Sequence, residues 1–154
     1  MKTNAARILE QKKISFSLYE YKFNQDEIDA VSVAKKIGAE PNRVFKTLVA
    51  YGAKNGINIF VIPGNSTLDL KKAAACSNNK KIEMIKEKEL LPLTGYIKGG
   101  CSPIGMKKNY PTYIDESAFK FSEIFVSAGK RGLQLQISPS DLLKVTNAFA
   151  KNLI

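Results

Sequence analysis

The sequence predicts a mixed α/β or α+β domain built around a curved sheet. Three observations carry this. Segments of helical and strand periodicity alternate from one end to the other: helix, strand, helix, mostly strands with interposed helices, then helix. The 154 residues, 44% of them hydrophobic, suffice for one buried core, so one domain over 1–154 is expected. No internal repeat or linker breaks the pattern.

Each element has a local cause. In residues 4–12, Ala5, Ile8 and Leu9 fall on one side of a short amphipathic helix. Ile14, Phe16 and Leu18 then alternate with Ser15, Ser17 and Tyr19, a strand pattern that puts Tyr21 with the polar set. Residues 27–37 read as a helix stopped by Gly38. Residues 43–51 and the run INIFVIP are rich in β-formers, and the AKNG turn between them makes a hairpin. Ser66 to Asp69 has capping-box spacing and opens a helix through Ala75. KIEMI suits a short strand and EKELLPL a short helix. Residues 94–111, rich in Gly and Pro, read as loop around short strands. PTYIDE, SEIFVSA and LQLQIS are further strands, the last two joined by Gly129-Lys130-Arg131-Gly132. Ser138-Pro139-Ser140-Asp141 caps the final helix.

Composition narrows the chemistry. There is no histidine, which excludes Ser-His-Asp and Cys-His catalysis and any His-ligated metal. Two cysteines make neither a disulfide framework nor a four-ligand zinc site, so no metal or cofactor is expected. The N-terminal residues lack a signal-peptide core and no run approaches the roughly 18 apolar residues of a membrane span. A soluble, cytoplasmic protein without membrane contact is expected. The charge of +10 favours polyanions, nucleic acid among them, although a lysine-rich surface also serves solubility.

Three places could carry chemistry. Lys46 lies in an apolar strand and shares a face with Val44 and Leu48, so it must be paired, reach water or occupy a pocket. Gly99-Gly100-Cys101-Ser102-Pro103 could aim backbone N–H groups at an oxyanion, or be a loop that needs glycine conformations. Cys101 has no histidine to activate it as a nucleophile. Ser127-Ala128-Gly129-Lys130-Arg131-Gly132 is either a basic turn or a phosphate contact, and it is no Walker motif.

Five stretches in order resemble the YbaK/EbsC-type aminoacyl-tRNA deacylases, relatives of the editing domain inserted in bacterial prolyl-tRNA synthetases. They are RVFKTLV at 43–49, LDLKKAA at 68–74, TGY with GGCSPIG between 94 and 105, VSAGKRG at 126–132, and PSDL at 139–142. The resemblance implies a compact α/β fold around a mixed, barrel-like sheet. It implies removal of cysteine mischarged on proline tRNA, and from cysteine tRNA as an extension. Lys46, Gly99 and Gly100 would be the catalytic set; Tyr21, Phe45, Thr47, Cys101, Ser102, Ser127, Gly129, Lys130 and Arg131 would bind substrate. The partners implied are the acceptor end of aminoacyl-tRNA and prolyl-tRNA synthetase. The sequence departs from the family at Lys22-Phe23-Asn24-Gln25, where many relatives carry a histidine, and at Asp29-Ala30, where they carry a glycine. Two alternatives stay open: a deacylase for another small amino acid such as alanine, using activated water, and a tRNA- or synthetase-binding module without activity.

Overall fold

The computed structural model describes residues 2–154. Helix α1 (Asn4–Gln11) is capped by Thr3, whose side chain accepts the Ala6 N–H, and it buries Ala5, Ala6 and Leu9. Strand β1 (Ser17–Glu20) follows, and then α2 (Ala30–Ile37), capped at its start by Asp29 and at its end by Gly38 in the left-handed conformation. The hairpin consists of β2 (Phe45–Gly52) and β3 (Gly56–Pro63), paired from Phe45–Pro63 to Gly52–Gly56. Then come α3 (Leu70–Cys76), β4 (Ile82–Met84), α4 (Glu87–Thr94), β5 (Thr112–Asp115), β6 (Ile124–Lys130), β7 (Leu133–Ile137), α5 (Pro139–Thr146) and β8 (Phe149–Lys151).

The strands form two sheets, in the orders β1-β7-β6 and β4-β2-β3-β5-β8. β3 runs parallel to β5, and β5 parallel to β8. β3 is apolar from Ile59 to Pro63 because both of its faces are covered there. Ile59 and Val61 face the main core with Leu9, Leu135 and Leu142, whereas Phe60 and Ile62 face a second core under α3. Burying such a side chain contributes about 1.5–3 kcal/mol.

The barrel-like sheet implied by the resemblance is not formed, because neither sheet closes. Among the described residues a single isolated parallel bridge, Val44 to Phe125, joins them. Val44 already directs its N–H to Pro41 O and accepts the Gly64 N–H at 2.7 Å, so the ladder cannot propagate from it.

Smaller differences have equally local reasons. β1 begins at Ser17, so Ile14 and Phe16 precede it, and Leu18 points outward at 42% exposure because β1 is an edge strand paired only with β7. α2 begins at Ala30 because Asp29 takes the cap position. Asp69, not Ser66, caps α3, its carboxylate accepting the N–H groups of Lys71 and Lys72. β8 was not expected: its three residues are exposed and carry no alternation, and backbone pairing to β5 alone defines it.

Candidate active site

The gap between the sheets is a pocket of about 440 Å³. Its walls come from the start of β2 (Val44 to Leu48), Gly64 after β3, the loop at Lys98, Gly99 and Cys101, Ser127 on β6, Gln134 on β7, and the approach to α2 from Gln25 to Ala30. A Cβ on Gly64 would lie 2.5 Å from Ala30 Cβ and 2.7 Å from Val44 O, so glycine there lets the first turn of α2 close on the hairpin. That contact brings Asp29 to the same cavity as Lys46.

Lys46 Nζ donates to Gly64 O at 3.3 Å. Burial holds its pKa below the ordinary lysine value, and Asp29 partly opposes the shift. Asp29 remains a carboxylate: the Ser32 hydroxyl and N–H donate to it, at 2.6 and 3.2 Å, and hold its pKa down. Burial pushes the Cys101 thiol up to about 12, which is the reverse of an activated nucleophile.

Gly99 has φ +84°, a conformation that L side chains rarely adopt, and Ile28 packs over it. Gly100 does not line the cavity. It is buried against the backbone of Lys130 and Arg131, and its N–H donates to Ile97 O at 2.9 Å. That N–H is therefore unavailable to an oxyanion, whereas the Gly99 and Cys101 N–H groups have no acceptor among the described residues.

Of the residues singled out from sequence, Lys46, Phe45, Thr47, Gly99, Cys101 and Ser127 share the cavity wall. Tyr21 packs instead against Val33, Ala34, Val44 and Phe125, and Ser102 is fully buried with its hydroxyl accepting the Ile104 N–H. Gly129 sits at the β6 irregularity against Tyr96, and Lys130 is exposed. Arg131 Nε donates to Lys98 O at 2.8 Å, tying the Lys98–Gly99 loop to the β6–β7 turn.

Sequence reasoning missed Asp29, Lys98 and Gln134. Gln134 is 5% exposed and lies across the ladder from Ser127 and, on the other side, from Tyr19. Its Oε1 and the Thr47 Oγ1 are buried without a hydrogen-bond partner, a cost of about 1–3 kcal/mol for each such group. The one signal in the sequence was a glutamine between two core leucines.

Residues 26–145 match the aminoacyl-tRNA editing domain. The chain belongs to that family. As an editing domain it is 53% identical, over 95% of its length and 89% of the relative's, to EbsC of Enterococcus faecalis, named as a candidate Cys-tRNA(Pro)/Cys-tRNA(Cys) deacylase. It is 26% identical to part of the proline–tRNA ligase of Shouchella clausii, matching 73% of this chain and 20% of the ligase. The crystal structure of a candidate trans-editing enzyme for prolyl-tRNA synthetase superposes with a TM-score of 0.85, at 27% identity, over 99% of this chain and 98% of that one. No helix among the described residues is long and apolar enough to cross a membrane.

Proposed function

We propose that this editing domain is a trans-acting deacylase that removes cysteine from mischarged Cys-tRNA(Pro), and from Cys-tRNA(Cys), in the cytoplasm. The observation that carries this is the 53% identity to the E. faecalis relative across nearly the whole chain. The pocket chemistry agrees. No histidine is present and the Cys101 thiol is held protonated, so the pocket offers neither an imidazole base nor a thiolate nucleophile of its own. The aminoacyl ester is already activated, and cysteine brings its own thiol. Its sulfur attacks the ester carbonyl, the bond from that carbon to the ribose oxygen breaks, and the thiol proton ends on the ribose hydroxyl. The products are a cyclic thiolactone and free tRNA.

In this mechanism the protein acts by positioning. Lys46 holds the terminal ribose or its phosphate as a cation. The Gly99 and Cys101 N–H groups receive the developing oxyanion, each such donor typically contributing a few kcal/mol. A domain this small has little surface with which to read a whole tRNA, so tRNA choice is set by a partner such as prolyl-tRNA synthetase.

The test is release of the amino acid from Cys-, Ala- and Ser-charged proline tRNA by wild type and Lys46→Ala. Cysteine release by wild type alone is expected, with a loss of at least about a hundredfold in Lys46→Ala. Equal release by the two proteins sinks the assignment of Lys46. Preferential release of alanine sinks the thiol mechanism.

A further inference from the structure

We propose that Gln134, with Thr47, reads the free α-amino group of the bound amino acid, so that the domain acts on aminoacyl esters and passes over N-acylated ones. The inference rests on the deacylase reading above and adds a substrate requirement to it.

The argument starts from unmatched polar atoms. Gln134 is 95% removed from solvent, on the central strand of its sheet, where backbone pairing to β1 and β6 fixes its position. Its Oε1 has no partner. The Thr47 Oγ1, on another wall of the same pocket, has none either. Folded proteins rarely leave buried polar atoms unmatched; the Gln134 amide oxygen can only accept and the Thr47 hydroxyl can accept or donate, so a ligand that donates satisfies both. The groups around them sharpen its sign. Lys46, partly buried on the same wall, donates to Gly64 O, and Asp29 adds a carboxylate. The Gly99 and Cys101 N–H groups are the wall's free backbone donors and serve the oxyanion, which leaves Gln134 Oε1 and the Asp29 carboxylate for a ligand that donates. An unblocked aminoacyl ester carries an ammonium with three N–H donors beside the scissile carbonyl. An N-acylated ester carries one neutral N–H and a bulky carbonyl there.

The requirement has a use. Freshly charged tRNA has a free α-amino group, whereas a peptidyl-tRNA has its nitrogen tied in an amide. A domain that demands the ammonium edits charging errors and spares growing chains.

The experiment compares release from Cys-tRNA and N-acetyl-Cys-tRNA by wild type, Gln134→Leu and Gln134→Glu. Wild type is expected to favour the unblocked ester by about ten- to a hundredfold. Gln134→Leu, which keeps the side chain's bulk, should lose most of that preference, and Gln134→Glu, which keeps an acceptor, should retain it. Equal rates on both esters with wild type overturn the proposal, and so does an undiminished preference in Gln134→Leu. A second measurement needs no cleavage: titration of wild type with 3′-cysteinylamino-3′-deoxyadenosine and with its N-acetyl form. The Gln134 side-chain amide resonances should shift with the first only, and equal shifts with both refute the idea. If wild type releases no cysteine at all, the deacylase reading falls, and the titration alone decides the role of Gln134.

Discussion

Replacing Gly99 by alanine perturbs the pocket wall at one atom, and its consequences can be worked out in advance. The new Cβ would sit 2.8 Å from Ile28 Cβ and 3.2 Å from Ile28 Cδ1, on a backbone with φ +84°. The left-handed conformation costs an L residue about 1–2 kcal/mol. Crowding of this kind costs about 1–3 kcal/mol. The sum, about 2–5 kcal/mol, is a large share of the roughly 5–15 kcal/mol that stabilises a typical domain. At roughly 2–4 °C per kcal/mol, the midpoint should fall by about 10 °C. The two contributions separate in a double-mutant cycle. Ile28→Gly removes the crowding atom, so it should couple to Gly99→Ala by about 1–3 kcal/mol and leave only the backbone cost. Ile28→Ala keeps its Cβ and should couple much less. Urea unfolding of the six proteins supplies every term. A Gly99→Ala protein within about 0.5 kcal/mol of wild type would refute the reasoning, and so would equal rescue by the two Ile28 variants.

Two further outcomes follow from the pocket's electrostatics. Lys46 titrates below an ordinary lysine, so its buried ammonium disfavours the fold at neutral pH, where folded and unfolded states are both protonated. Between the folded pKa and 10.5 the unfolded state binds more protons, so wild type should gain stability relative to Lys46→Met as pH rises through that window. Urea midpoints of the two proteins from pH 8 to 11 measure this, and a constant or shrinking advantage contradicts it. The second outcome concerns Cys101. With its thiol near 12, alkylation by iodoacetamide at pH 8 should be on the order of a thousandfold slower than for free cysteine. Peptide mapping reads this residue separately from Cys76, and labelling at the free-thiol rate would show that the thiol is not held protonated.

Elements with a local cause could be read from the sequence. Gly38 ends α2, the Lys54-Asn55-Gly56 turn joins β2 to β3, and Ser138-Pro139 starts α5, each through chemistry confined to a few residues. Features decided by distant pairing could not. β8 is three exposed residues held by β5, and the open seam depends on where Val44 sends its two backbone hydrogen bonds. The site divides in the same way. The resemblance located Lys46, Thr47, Gly99 and Ser127 on segments that the fold gathers around one cavity. It did not separate Gly99, which lines that cavity, from Gly100, whose N–H is turned to Ile97 O, because adjacent glycines look alike until the loop is folded. Gln134 escaped notice because strand alternation assigns faces but not partners, and its significance lies in the partner it lacks.

The cavity wall is drawn from segments between Gln25 and Gln134, with no two adjacent elements sufficient to make it. Such a site has no partial form. It comes into being only when the chain has closed its longest loops, among them the pairing of β1 with β7 and the bridge from Val44 to Phe125, contacts of large sequence separation that are slow to make. A half-synthesised chain emerging among charged tRNAs therefore carries the basic residues that attract them but not the cavity that would cleave them. The dispersion of the wall along the sequence acts as a safeguard on timing: the ability to destroy an aminoacyl ester arrives together with the completed fold.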